Sequence, residues 1–304
     1  MSLSLRQLSY FVAVAEAGQI SAAARELYVT QSAVTTAVRD LEASLRQPLL
    51  TRNSRGVVLT EAGLAFLPKA RSILQMVQEA QTLTVPDEAV QGALTIGVTY
   101  TVMGYFVPTH VPRLRARYPR LQITWLERER GAIESQLLSG ELDLGLLITS
   151  NVQSTDLRRM TFVQSPRRLW LPQNHELRHH HEVDLITIAD HPYVMLTVDE
   201  ADDTTLAYWG DRQPRVLLRT SAVEAARSLV ANGSGVTILS DMVYRPWSLE
   251  GRRIQTAEVI DGIPSMDVGL VWPQGAEFTP SLSAIYDYFH QEFLSPRPAS
   301  RTAR

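Results

Sequence analysis

Residues 31–39, QSAVTTAVR, set several hydrogen-bonding side chains beside a short apolar repeat. Gln31, Ser32, Thr35, Thr36 and Arg39 can donate to or accept from base edges and phosphates. Val34, Val38, Leu41 and Leu45 recur at spacings of four and three, which predicts a helix whose apolar stripe packs inward. A helix with a buried stripe and short polar side chains opposite suits insertion into a DNA major groove. Gln31, Thr35 and Thr36 are the candidates for base edges, and Ser32 is a candidate for phosphate.

Neighbouring elements must position that helix. Ser21 is placed to cap a preceding helix that Ala22–Ala24 favour, Tyr28 and Val29 form a break, and Thr30 is placed to cap the second helix. This pair alone fits a helix-turn-helix or two ordinary core helices of an all-α domain. Gln47-Pro48 then stops the helix. Leu49–Thr51 and Val57–Leu59 read as two strands around Arg52-Asn53-Ser54-Arg55-Gly56. Asn53 and Gly56 can take turn conformations of positive φ, so the segment predicts a β-hairpin wing. A lone two-arginine turn is more often a solvated loop. Behind a helix-turn-helix, Arg52 and Arg55 become candidates for phosphate or minor-groove contact.

The composition narrows the alternatives. The chain has 304 residues, enough for two or three domains, and no cysteine, which excludes disulfides and thiolate metal sites. No apolar run approaches the roughly 18–20 residues of a membrane span. The first residues look superficially like a signal peptide, but Leu8, Phe11, Val12 and Ala15 recur at helical spacing and Glu16 interrupts them. A cytoplasmic protein is expected. The formal net charge of −3 is a poor guide to DNA binding, because the local field near phosphates decides it.

Residues 60–84 predict one continuous helix. Phe66, Ala70, Ile73, Val77 and Ala80 form a stripe at coiled-coil spacing, and Pro68 should kink it. The stripe serves either packing on its own domain or pairing with a second copy. Val85-Pro86-Asp87 ends the helix and opens a hinge reaching Gly92.

From Gly92 strands and helices alternate, which predicts an α/β sheet with helices on its faces. Strands are expected at 93–98, 121–126, 142–148, 193–197, 215–219, 235–239 and 266–272. Helices are expected through Val111 to Tyr118 and at 132–139, 221–231 and 281–293. Ligands in such sheets bind beyond the carboxyl ends of the strands. Thr99, Tyr100 and Thr101 follow the first strand at a helix start and could hold an anion. Thr149 and Thr197 follow later strands, and Arg130 could pair with a carboxylate. The plain alternatives are strand-end and capping threonines and a solvated Glu127–Arg130 run. A small carboxylate or polar ligand is expected.

Other chemistries find little support. His175 and His179–His181 suggest metal, but three adjacent histidines cannot face one ion from regular structure, so no metal site and no cofactor are expected. Gly233-Ser234-Gly235 is not a nucleophile elbow, and no dinucleotide or phosphate-loop motif occurs. An enzyme on this α/β domain is therefore disfavoured. A secreted solute-binding protein would need a signal peptide and would not begin with a winged helix-turn-helix.

The N-terminal residues resemble the LysR-type transcriptional regulators. The resemblance rests on Leu5-Arg6-Gln7-Leu8, Tyr10-Phe11, Ser21, Ala23-Ala24 and Leu27. It continues through Val29–Thr35, Leu41-Glu42, Leu45, Leu49, Arg52 and Leu59-Thr60-Glu61-Ala62-Gly63. Two positions depart from the family pattern. Leu50 stands where a phenylalanine is usual, which should leave the wing base less filled. Thr36 stands where many members carry a longer polar or basic side chain, so its base-reading chemistry should be this chain's own.

The resemblance implies an α+β multidomain fold. Residues 1–60 would form the winged helix-turn-helix DNA-binding domain, and 61–91 a linker and dimerisation helix with hinge. Residues 92–294 would form a two-lobed α/β effector-binding domain similar to periplasmic solute-binding proteins, with lobe I about 92–162 and 268–294 and lobe II about 163–267. Residues 295–304 would be a disordered tail. The implied partners are double-stranded DNA at a pseudo-palindromic operator, a small-molecule inducer between the lobes, RNA polymerase, and further copies of the chain in a dimer of dimers. No membrane is implied.

Overall fold

Ser4 and Gln7 close a reciprocal cap at the start of α1 (Leu5–Ala17): Gln7 N–H donates to Ser4 Oγ at 3.2 Å and Ser4 N–H to Gln7 Oε1 at 2.9 Å. Gly18, in the left-handed region at φ 65°, ends the helix. The computed structural model describes residues 3–53, 56–81, 87–180 and 182–294. It divides into two units, Met1–Thr84 and Val85–Arg304.

In the first unit α2 (Ile20–Glu26) and α3 (Gln31–Leu45) follow α1. Thr30 caps α3, its Oγ1 accepting from Ala33 N–H at 3.3 Å. The expected cap by Ser21 is corrected: α2 starts at Ile20, after Gln19 at the cap position, with no side-chain cap. Gly18 turns the chain so tightly that one extended residue suffices before the helix, which places Ser21 inside its first turn. Val34, Ala37, Val38 and Leu41 are buried against α1, while Leu45 is half-buried. β1 (Leu50–Asn53) and β2 (Gly56–Leu59) pair antiparallel, Leu50 opposite Leu59. α4 (Glu61–Gln81) runs through Pro68. Its Leu67 and Ala70 are buried, and Phe66 meets Phe11 of α1 with ring centroids 5.5 Å apart. The start of the expected coiled-coil stripe therefore packs on its own domain.

The second unit builds two lobes. A five-stranded sheet carries β3 (Gln91–Val98), β4 (Arg120–Glu127), β5 (Leu144–Ile148), β6 (Leu157–Ser165) and β13 (Met266–Pro273), in the order β4-β3-β5-β13-β6. β3 runs parallel to β4 and β5, and β13 runs antiparallel to β5 and β6. All five residues of β5 are buried, as its unbroken apolar run requires of a central strand. The helices of this lobe are α5 (Tyr100–Tyr105), α6 (Val107–Arg117), α7 (Arg130–Ser139) and α11 (Pro280–Phe293). The core between sheet, α6 and α11 includes Phe106, Phe162 and Phe289, with Phe162 and Phe289 stacked at 5.0 Å.

The second lobe holds β7 (Arg167–Pro172), β8 (Glu182–Val183), β9 (Tyr193–Leu196), β10 (Val216–Thr220), β11 (Thr237–Ser240) and β12 (Ile254–Val259). β11-β7-β12-β8 form one sheet and β10-β9 a parallel pair, linked through a Tyr193–Val236 bridge. Its helices are α8 (Leu185–Ala189), α9 (Ala201–Trp209) and α10 (Val223–Ala231). The mixed fold class expected from sequence is the one observed, winged helix-turn-helix plus two-lobed α/β domain. No helix among the described residues is long and apolar enough to cross a membrane. The expected tail at 295–304, the helix end at 82–84 and part of the hinge lie outside the described residues.

Candidate functional site

The outward face of α3 is built by elimination. Once Val34, Ala37, Val38 and Leu41 are buried, Gln31, Ser32, Thr36 and Arg39 are exposed and Thr35 is half-buried at the edge. Ser32 Oγ lies 3.0 Å from Thr30 Oγ1, so its hydroxyl is anchored to the cap. Tyr28, at φ 55° in the turn before α3, is 95% exposed. In the sequence it stands only as part of the break between the two helices. Its sole signal was an aromatic residue at a forced turn.

Tertiary contacts fasten the wing beside this face. Glu42 of α3 accepts from the N–H groups of Leu49 and Leu50 at 2.8 and 2.9 Å. Val57 N–H donates to Gly18 O at 2.8 Å. Thr60 Oγ1 donates to Pro48 O at 2.6 Å and accepts from Gly63 N–H at 3.0 Å. Any Cβ on Gly63 would strike the Leu49 carbonyl. The base of the wing holds a cavity of about 170 Å³ lined by Thr35, Arg39, Glu42, Leu50 and Val57, among others. Arg52 lies in β1 opposite Val57, and Arg55 lies outside the described residues.

Two contacts of one lobe-II segment shape the cleft of the second unit. Asp199 Oδ2 accepts from the Thr101 N–H at 2.7 Å, and Asp199 O accepts from Asn151 Nδ2 at 3.0 Å. Burial raises the Asp199 carboxyl pKa, and the Thr101 bonds act the other way. Arg130 pairs with Glu200 at 2.7 Å and with Glu134 at 2.6 Å. The Glu200 hydrogen bond, with Glu134 behind it, holds the guanidinium above its ordinary range. Glu134 also accepts from Gln153 and Ser154 N–H at 3.1 and 3.0 Å. Nearby, Tyr105 OH donates to Glu224 at 3.0 Å, and burial pushes its pKa up to about 12.

The expected ligand residues divide accordingly. Tyr100, Arg130 and Thr197 line an open cleft of about 720 Å³ with Glu127, Arg128, Glu129, Asp199, Glu200, Asp202 and Asp203. Thr101 instead lines an inner crevice of only about 30 Å³. Thr149 is buried, its Oγ1 2.7 Å from Thr161 Oγ1, so its hydroxyl is engaged within the lobe. Thr99 is buried with no partner for Oγ1 among the described residues. Arg130 is only 15% exposed and is not part of a solvated run. The sequence does not show Asp199 as the partner of Thr101 or Glu200 as the partner of Arg130, because both lie far along the chain in another lobe.

Among the described residues no three His, Cys, Asp or Glu side chains are grouped to hold a metal. His175 Nδ1 accepts from Leu177 N–H at 3.2 Å as a short-helix cap. His181 lies outside the described residues.

A winged helix-turn-helix followed by a two-lobed α/β domain defines the class of DNA-binding proteins that carry a regulatory domain. Residues 5–64 match the family described as "Bacterial regulatory helix-turn-helix protein, lysR family", and residues 87–294 match "LysR substrate binding domain". The chain belongs to the LysR family: it is a DNA-binding transcriptional regulator with an effector-binding domain, and not an enzyme. It is 28% identical over 296 residues to the Hca operon transcriptional activator HcaR of Escherichia coli (strain K12), covering 92% of this chain and 95% of that protein. It is 30% identical over 243 residues to a hydrogen peroxide-inducible genes activator of Pectobacterium carotovorum subsp. carotovorum, covering 78% of this chain and 80% of that one. Its architecture is similar to a putative LysR family regulator from Pseudomonas aeruginosa, with TM-score 0.62 and 24% identity over 96% of this chain and 99% of that one.

Proposed function

We propose that the outward face of α3 reads operator DNA and that a small polar molecule in the interlobe cleft controls the response. Gln31, Thr35 and Thr36 take base edges, while Ser32, Arg39, Arg52 and Arg55 take phosphates or the minor groove. The observation that carries this reading is the exposed polar face of α3, left clear by the core and flanked by a wing tied to Glu42. The chain acts in the cytoplasm as a homo-oligomer, a dimer of dimers. It engages two half-sites of a pseudo-palindrome and communicates with RNA polymerase. Ligand binding shifts the population of lobe arrangements, and with it the spacing of the DNA-binding heads. A relative's name refers to hydrogen peroxide. This chain has no cysteine, so thiol oxidation is not its signal.

A mobility-shift titration with the DNA upstream of the gene tests the reading. Gln31→Ala should relax sequence preference, whereas Arg39→Ala should weaken binding across sequences and reduce the salt slope. Unchanged sequence preference in Gln31→Ala removes that residue from base readout.

A further inference from the structure

We infer that the segment carrying Asp199 and Glu200 sets the charge of the ligand, so that the interlobe cleft takes a cation and rejects a carboxylate. The inference rests on the cleft being the ligand site, as proposed above. Two groups inside the cleft could receive an anionic ligand, the backbone N–H of Thr101 and the guanidinium of Arg130. The chain's own carboxylates already hold both: Asp199 sits on Thr101 at 2.7 Å, and Glu200 with Glu134 saturates Arg130. An incoming carboxylate would have to displace a charge-assisted bond of the same kind and gain nothing net. The other guanidinium of the lining, Arg128, is exposed between Glu127 and Glu129, whose carboxylates oppose an anion there.

Space leads to the same conclusion. The inner crevice beside Thr101 and Asp199 holds only about 30 Å³, too little for an organic ligand. The outer cleft holds about 720 Å³, within the usual range for a small-molecule site. Its lining carries six carboxylates against two guanidinium groups; Arg130 and Glu200 offset each other, which leaves five carboxylates against Arg128. Asp202 is engaged by Arg219 at 3.1 Å. Glu127, Glu129 and Asp203 are exposed and have no cationic partner among the described residues. A cleft with a surplus of one sign concentrates counter-ions. A small amine, amidine or guanidine can bridge the exposed carboxylates without breaking the Asp199 and Glu200 bonds.

The test compares molecules that differ in charge but little in shape. Thermal unfolding of the full chain is followed with 10 mM putrescine, 1,4-butanediol or succinate, and with benzamidine, benzamide or benzoate, at two ionic strengths. The cation of each series should raise the unfolding midpoint by several degrees, less at high salt, while the neutral and anionic members leave it unchanged. Glu129→Gln with Asp203→Asn, both exposed rim positions, should weaken the cation effect about tenfold, read against the variant's own unliganded midpoint. Asp199→Ala with Glu200→Ala, which releases the Thr101 N–H and leaves Arg130 paired with Glu134 alone, should bring in a response to succinate or benzoate. If that pair fails to fold, the rim variants still decide the matter. Stabilisation of the unaltered protein by an anion or a neutral member overturns the charge assignment and leaves the cleft as the ligand site. A cation effect that survives the rim substitutions places the cation elsewhere and also overturns it. No response to any member overturns the ligand reading of the cleft, and the charge assignment falls with it.

Discussion

Gly56 passes so close to Gly18 that a Cβ on Gly56 would stand 2.6 Å from the Gly18 carbonyl oxygen, the atom that accepts from Val57 N–H at 2.8 Å. Gly56 also sits at φ +125°, where side chains are rarely tolerated. The wing thus meets the end of α1 backbone to backbone. Gly56→Ala should cost about 2 kcal/mol and loosen the hairpin. Chemical denaturation measures the stability loss, and a mobility shift should show weaker DNA binding before global unfolding. A Gly56→Ala protein with unaltered stability would mean that the wing can move away from α1 at no cost.

The cavity at the wing base offers an opposite change. Leu50 lines about 170 Å³ beside Thr35 and Glu42. Leu50→Phe should fill part of it and stabilise the first unit by about 1 kcal/mol. That gain is worth roughly 4–8 °C for a unit of this size. Calorimetry checks it; a lower midpoint would show that the larger ring overpacks the space.

His110 makes stability depend on pH. It is 4% exposed, and its Nδ1 lies 2.9 Å from Tyr288 OH. Burial, with Arg113 adding to it, lowers its pKa from 6.5 to about 4. Between those values the unfolded chain binds a proton that the folded chain refuses, so stability falls as pH drops from 6.5 toward 4. Below about 4 both states bind it and the loss stops growing, at about 3 kcal/mol in all. Urea midpoints at pH 7.5 and 4.5 measure the effect, and His110→Gln should flatten that part of the profile.

Arg227 is a buried cation on α10 with no exposed surface. It donates to Glu224 at 2.9 Å, to Arg245 O at 3.0 Å and to Val243 O at 2.8 Å, and lies 5.4 Å from the Trp170 ring centroid. Arg227→Ala strands two carbonyls and leaves a hole, which should cost about 2–4 kcal/mol. Arg227→Met keeps most of the volume and should lose less. Equal losses in thermal denaturation would show that hydrogen bonding alone decides the site.

How much could be read in advance follows from how local each cause is. The α3 stripe, the Thr30 cap and the buried run of β5 depend on residues within one or two turns of each other. The periodicity therefore located them, and the structure moved most element ends by only a residue or two. Ser21 failed as a cap because the turn at Gly18 sets where α2 begins. Glu42, Thr60 and Gly63 were visible as members of a family pattern. Their reason, the fastening of the wing, appeared only with the fold.

The sequence by itself determined the class of protein: a polar-faced helix behind a break, a hairpin, and a change to α/β alternation are written in short-range patterns. The tertiary structure alone decided what the cleft offers a ligand. Thr101 and Asp199 are 98 positions apart, and Arg130 and Glu200 are 70 apart. An arginine in a sequence does not say whether its carboxylate comes from a ligand or from the other lobe. Only folding, which brings that lobe within hydrogen-bond distance, shows that the chain supplies it.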